Sequence, residues 1–154
     1  MDMRHLLGIL CALTLVLAGC GGEDGGSDGG SDDGSDDGGT IEPEQVVFVS
    51  ESAVGGNVLS TATTIDGDQS IQEFAGQFED PRMGDRIAAE AADIDVPDGD
   101  ELAAAVVAVA CDAPTDVSVE RTPAGLQVTS PPVKTDKQCL VPVTTVALVT
   151  VPAE

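Results

Sequence analysis

The sequence is poor in the residues that several common chemistries require. Its 154 residues include no tyrosine, no tryptophan, three phenylalanines and one histidine, His5, and 28 acidic residues face only six lysines and arginines, a net charge of −22. Nucleic-acid binding begins with Lys and Arg displacing counterions from phosphates, so this charge disfavours it. Stacking of single-stranded bases or sugars on Tyr or Trp is excluded by composition.

Long hydrophobic runs are also missing. A helix needs about 20 apolar residues to span a bilayer core. Residues 6–16 form an apolar stretch of eleven, which follows a short segment carrying Arg4. This length and this flanking charge are typical of a signal peptide. The stretch ends in Leu17-Ala18-Gly19-Cys20, which resembles the lipobox of bacterial lipoproteins.

The lipobox resemblance implies both a cellular location and a membrane anchor. In that family the cysteine thiol receives a diacylglycerol, the peptide is cut before it, and its new amine can be acylated, for example with palmitate. Residues 1–19 are therefore expected to be a signal peptide cleaved between Gly19 and Cys20, which leaves the protein lipid-anchored on the extracytoplasmic face of the cell membrane. At about 0.8 kcal/mol per buried methylene, two acyl chains hold firmly. The alternative is a secretory signal with an incidental cysteine.

An acidic low-complexity segment follows the lipobox. Residues 21–39 consist of nine Gly, three Ser and seven acidic residues. Such a segment has nothing apolar to bury and is predicted to be disordered, so residues 20–39 are interpreted as the lipidated cysteine and its tether. Its root-mean-square reach is roughly 24 Å. A Gly/Asp coil does not preorganise the six to eight oxygens of a Ca²⁺ site.

Residues 40–154 are predicted to form one globular extracytoplasmic domain, with 20 acidic and 5 basic residues and a net charge of −15. A strand is predicted at Gln45–Ser50, a turn at Gly55–Asn57 and a second strand at Val58–Thr64.

Two helices are predicted next. Ile71, Phe74, Ala75 and Phe78 recur at helical spacing, and Ser70 with Glu73 matches a capping box, so a helix should run from Ser70 to about Phe78. A second helix follows Pro81, ends before Asp95 and turns four residues inward: Met83, Ile87, Ala88 and Ala91.

The C-terminal half is predicted to be mainly strand. Leu102–Cys111 is apolar on both faces and fits a buried helix or a central strand, and its valines favour a strand in the second half. Alternating residues around Thr122–Gly125 predict a hairpin, and Cys139–Val151 a last strand with Pro142 at an edge or bulge. The fold class expected is α+β, a mainly antiparallel sheet of about five strands with two short helices.

Two cysteines remain after processing. Cys11 leaves with the signal peptide and Cys20 is lipidated, so Cys111 and Cys139 are expected to form one disulfide. Closing this loop of 29 residues stabilises the fold by about 3.5 kcal/mol. A redox pair or a metal site are the alternatives, although no Cys-x-x-Cys spacing is present.

Enzymatic chemistry finds little support. The only histidine is removed with the signal peptide, so no Ser-His or Cys-His pair is possible in the mature chain. The acidic stretch Asp93–Glu101 does not fit an EF-hand, because with Asp93 as position 1 the fifth position is Pro97 and the twelfth is Ala104. A loose Ca²⁺ site there remains open. No catalytic residue, metal ligand or cofactor is predicted.

The order of elements in the domain resembles the C-terminal domain of the PrcB-like bacterial protease-complex subunit family. Ala113–Asp116 stands where that family tends to have Gly-Gly-Tyr. The segments that carry the resemblance are Ser70–Phe74, Val106–Ala110, Val117–Val128 and Thr144–Val151.

The resemblance implies a non-catalytic scaffold. The function expected is that of a membrane-anchored accessory or partner-binding module with a protein partner in the cell envelope. The alternatives are a cation or small-solute binder that uses Asp66–Asp68 and Asp93–Glu101, and a hydrolase built on carboxylates alone.

Overall fold

The structure, a computed structural model, describes residues 39–135 and 138–154. Seven strands and two helices make up this part of the chain. In chain order they are β1 (Thr40–Ile41), β2 (Gln45–Ser52), β3 (Thr63–Thr64), α1 (Asp68–Ala75), α2 (Arg82–Asp93), β4 (Asp100–Ala110), β5 (Ser118–Thr122), β6 (Gly125–Thr129) and β7 (Val143–Pro152). Neither of the two helices described is long and apolar enough to cross a bilayer.

The strands form two antiparallel sheets. One sheet has four strands in the order β2–β7–β4–β3, and the other has three in the order β1–β5–β6. The α+β class with two short helices is confirmed, while the strands number seven in two sheets rather than about five in one. The predicted hairpin is confirmed as β5–β6, in which Thr122 pairs with Gly125.

Residues 59–65 join the two sheets. The N–H groups of Leu59 and Ile65 donate to carbonyls of β4, at 3.3 and 2.7 Å. Between them, Ala62 N–H donates to β6 at 2.8 Å, and the Ser60 carbonyl accepts from β6 at 2.7 Å. Only Thr63–Thr64 of the strand predicted over Val58–Thr64 is a strand, because this segment divides its hydrogen bonds between two neighbours.

Strands β4 and β7 lie at the centre of a three-layer arrangement. Leu102, Ala104 and Val106 of β4 pack with the helices, whereas Ala103 and Ala105 pack with the three-stranded sheet. Both faces of the strand are therefore covered, which explains an apolar run without alternation. The sequence left a buried helix and a central strand as alternatives for Leu102–Cys111, and the structure shows a strand along the whole of Asp100–Ala110.

Of the residues that helical spacing predicts to face inward, the large ones are buried, and Ala75, Ala88 and Ala91 are half-buried. Ile71 and Phe74 of α1 and Met83 and Ile87 of α2 are at most 9% exposed. Burying a large apolar side chain of this kind stabilises the fold by about 1.5–3 kcal/mol. The second helix is confirmed at Arg82–Asp93, before Asp95 as predicted.

The start and the end of α1 differ from the prediction. The N-cap is Gly67 rather than Ser70, and Ser70 lies at the third helical position. Its hydroxyl accepts from Gly67 N–H at 3.2 Å and donates to the Gly67 carbonyl at 2.8 Å. Glycine suits this position because its φ is +154°, where a side chain is disfavoured. The helix ends at Ala75, although Phe78 in the following turn is still buried.

Candidate functional site

A groove lies between helices α1 and α2 and encloses about 460 Å³. Its apolar lining comes from Ile71 and Ala75 of α1, Phe78 of the connecting turn, and Gly84 and Ala88 of α2. These residues, with the three carboxylates of Asp68, Glu79 and Asp85 at its rim, form what we call the interhelical groove. Its volume falls within the range of about 300–1,000 Å³ found for ligand pockets.

Helical spacing and one glycine build the apolar walls. Ile71 and Ala75 are four residues apart on α1, as are Gly84 and Ala88 on α2, so each pair lies on one face of its helix. A Cβ at position 84 would lie only 2.8 Å from the Ala75 Cβ. The glycine therefore lets α2 approach α1 more closely than an alanine would.

The rim of the interhelical groove is acidic. Asp68 of α1, Glu79 of the connecting turn and Asp85 of α2 line it and are exposed. Within residues 39–135 and 138–154, no ion pair involves any of these three carboxylates. The arginines of α2 bind elsewhere, Arg86 to Glu51 at 2.8 Å and Arg82 to Asp80 at 3.0 Å. The groove thus combines apolar walls with uncompensated negative charge.

The ion pairs of α2 connect this helix to β2 and to the turn that precedes the helix. The hydrogen bond from Arg86 lowers the pKa of Glu51, and that from Arg82 lowers the pKa of Asp80. Arg86 also donates to the Ser50 carbonyl of β2 at 3.2 Å. A general acid needs the opposite shift, a raised pKa, so these two carboxyls are suited to positioning the helix rather than to proton transfer.

The disulfide between Cys111 and Cys139 is confirmed. It joins the residue after β4 to the loop before β7, and the Cys139 N–H also donates to the Cys111 sulfur at 3.2 Å. The hairpin β5–β6 lies between the two cysteines in sequence. The bond therefore closes the loop that carries most of the second sheet.

The acidic loops do not converge on a common point. Glu101 binds Arg121 at 3.1 Å through one oxygen and accepts from the Thr64 hydroxyl at 3.2 Å through the other, which gives it a structural role. In the part of the chain that the structure describes, no group of three or more His, Cys, Asp or Glu residues is placed to hold a metal ion. The hypothesis that Asp66–Asp68 or Asp93–Glu101 binds Ca²⁺ therefore gains no geometric support.

The lipidation and cleavage residues predicted from sequence, Cys20 and Gly19, lie outside the described residues, as do the signal peptide 1–19 and residues 20–38 of the tether.

Sequence reasoning missed the interhelical groove and two buried polar atoms. A signal for the groove was present, since Gly84 follows the inward-facing Met83 inside a helical pattern. No pattern marked the rim, because acidic residues are common throughout the domain. The Asp100 Oδ2 and Thr150 Oγ1 atoms are buried without a hydrogen-bond partner among the described residues, which only the fold reveals.

Comparison of the chain with protein-family models, with curated proteins and with solved structures finds no match.

Proposed function

We propose that this protein is an extracytoplasmic lipoprotein whose domain is a non-catalytic module that binds a partner in the cell envelope. The anchor is the diacylglycerol on Cys20. It is supported by the sequence Leu17–Cys20, by the apolar stretch before it and by the abrupt change to an acidic Gly/Ser segment after it.

Partner binding rests on the interhelical groove. It is an apolar cavity of about 460 Å³ whose rim carries carboxylates without ion-pair partners in the described part of the chain. Apolar walls with a few convergent polar groups are typical of binding sites. The resemblance to PrcB-like subunits supports the same role, since those proteins are non-catalytic.

A small cationic solute is the second candidate occupant. The volume of the groove favours it, because about 460 Å³ is enough for a small molecule. A solute that binds only the folded protein raises the melting temperature in a concentration-dependent way. Calorimetric melting with and without a panel of cationic solutes, and with Ca²⁺, therefore separates this candidate from a protein partner.

The anchor is tested by mass and by fractionation. The intact mass of protein extracted from membranes is expected to correspond to a chain beginning at Cys20 plus a diacylglycerol. A Cys20→Ala form is expected to leave the membrane fraction. A membrane-extracted mass matching an unlipidated chain would contradict the lipobox interpretation.

The binding role is tested by cross-linking in cells, followed by purification of the native and Cys20→Ala forms. A stoichiometric partner that co-purifies with the native form, and is lost when the anchor is removed, supports an envelope accessory module. Recovery of the protein alone from both strains contradicts it and favours the solute-binding alternative.

A further inference from the structure

The small apolar residues of the interhelical groove are only half-buried, whereas the large side chains behind them, Ile71 and Phe78, are at most 9% exposed. Ala75, Gly84 and Ala88 line an open cavity between two helices that bury their large apolar residues against the four-stranded sheet. Transfer of an apolar side chain from water into such a cavity is favourable because both surfaces lose contact with water. The walls therefore select for an apolar side chain.

The rim selects for positive charge beside that side chain. Asp68, Glu79 and Asp85 surround the cavity, while the arginines of α2 bind Glu51 and Asp80 instead. A cation brought to this rim forms its ion pairs without displacing an existing one. At longer range the domain carries a net charge of −15, which attracts a basic partner and repels a second copy of the same chain.

We propose that the interhelical groove docks a basic segment of a partner protein. In this arrangement an apolar side chain enters the cavity, and flanking lysine or arginine side chains bind Asp68, Glu79 and Asp85. This inference rests on the partner-binding function proposed above and specifies the chemistry of the partner.

Synthetic peptides provide the probe. Full-length lipidated protein in phosphatidylcholine nanodiscs is titrated against three fluorescent peptides of equal length, with the centres Lys-Leu-Phe-Lys, Glu-Leu-Phe-Glu and Lys-Ser-Ser-Lys, and empty nanodiscs serve as the blank. Saturable binding, read by fluorescence anisotropy, is expected for the first peptide at an affinity about tenfold or more above the other two. Its affinity should fall as salt rises, because the rim charges are screened.

Two triple variants with the same change of charge separate the groove from the overall field. The groove variant combines Asp68→Asn, Glu79→Gln and Asp85→Asn, and is expected to lose about tenfold in affinity. The control variant neutralises three carboxylates of the same two helices that do not line the groove: Glu73→Gln, Glu90→Gln and Asp93→Asn. It is expected to stay within about twofold of the native protein.

An apolar substitution tests the cavity itself. Ala88→Leu places a larger side chain in the groove and is expected to abolish binding of the first peptide while all carboxylates remain. Melting curves of every variant by circular dichroism verify folding, and the groove variant keeps the claim testable should Ala88→Leu fail to fold.

Several results would overturn the inference. Equal binding of the three peptides, or equal loss in both triple variants, would mean that only overall charge matters. Sedimentation equilibrium showing a dimer that the groove variant dissociates would make a second copy the occupant. If a partner co-purifies from membranes but its binding is unchanged in the groove variant, this inference fails and the proposed function stands. If no partner co-purifies, the proposed function itself fails.

Discussion

Replacing Gly84 by alanine is expected to destabilise the protein, although alanine is the better helix former. The new Cβ would lie 2.8 Å from the Ala75 Cβ, whereas carbon atoms in contact ordinarily lie about 3.5–4.0 Å apart. The helices must therefore separate by about 1 Å. Overpacking of this kind costs about 1–3 kcal/mol, and the gain in helix propensity returns about 1 kcal/mol. The net expectation is a loss of about 1 kcal/mol in the free energy of unfolding.

The same substitution should change sign in a second background. In Ala75→Gly the opposing methyl group is absent, so adding Gly84→Ala there creates no clash and leaves only the gain in helix propensity, about 1 kcal/mol. Urea unfolding followed by far-ultraviolet circular dichroism measures all four proteins, which is the suitable readout because the chain has no Tyr or Trp. Stabilisation by Gly84→Ala in both backgrounds would refute the close approach of α1 and α2.

Three further changes test other contacts. Replacing Cys111 and Cys139 by alanine should lower the free energy of unfolding by about 3.5 kcal/mol, and a reducing agent should reproduce the loss in the native protein. Thr150→Val should stabilise by about 1 kcal/mol, because it removes a buried hydroxyl that has no hydrogen-bond partner among the described residues. Thr144→Val should destabilise by about 1 kcal/mol, because that hydroxyl donates to the Gly55 carbonyl at 2.7 Å, and urea unfolding compares the two variants. Glu51→Gln should lower the melting temperature at neutral pH but not in acid. The folded-state pKa of Glu51 lies below its ordinary value of 4.5, so the stability that its carboxylate contributes is lost as the pH falls through that folded-state value. A melting-temperature difference that persists at about pH 2 would contradict this reasoning.

Local patterns predicted the elements that local forces determine. The hairpin around Thr122–Gly125 and the second helix at Arg82–Asp93 follow from turn residues and helical spacing, and both were confirmed. The disulfide was predicted by counting the cysteines that an exported and processed chain is expected to keep, and it was confirmed. Each of these depends on residues close in sequence or on an elimination that needs no fold.

Long-range pairing could not be predicted in the same way. The two-residue strand Thr40–Ile41 is a strand only because β5 lies beside it. The N-cap of α1 is Gly67 rather than the predicted Ser70, because the Ser70 hydroxyl donates to the Gly67 carbonyl. The capping-box pattern does not distinguish these two arrangements. The interhelical groove arises from how closely two helices pack, which depends on the tertiary contact between Gly84 and Ala75.

The segment 59–65 has a consequence for how the domain opens. Because its successive residues bond β4 and β6, the two sheets cannot separate unless this segment breaks its hydrogen bonds to at least one of them. The amide protons of Ala62 and Ile65 report on opposite sides of the same segment. They are therefore expected to exchange with deuterium at a common rate set by global unfolding, so that the two sheets behave as one cooperative unit rather than as independent foldons.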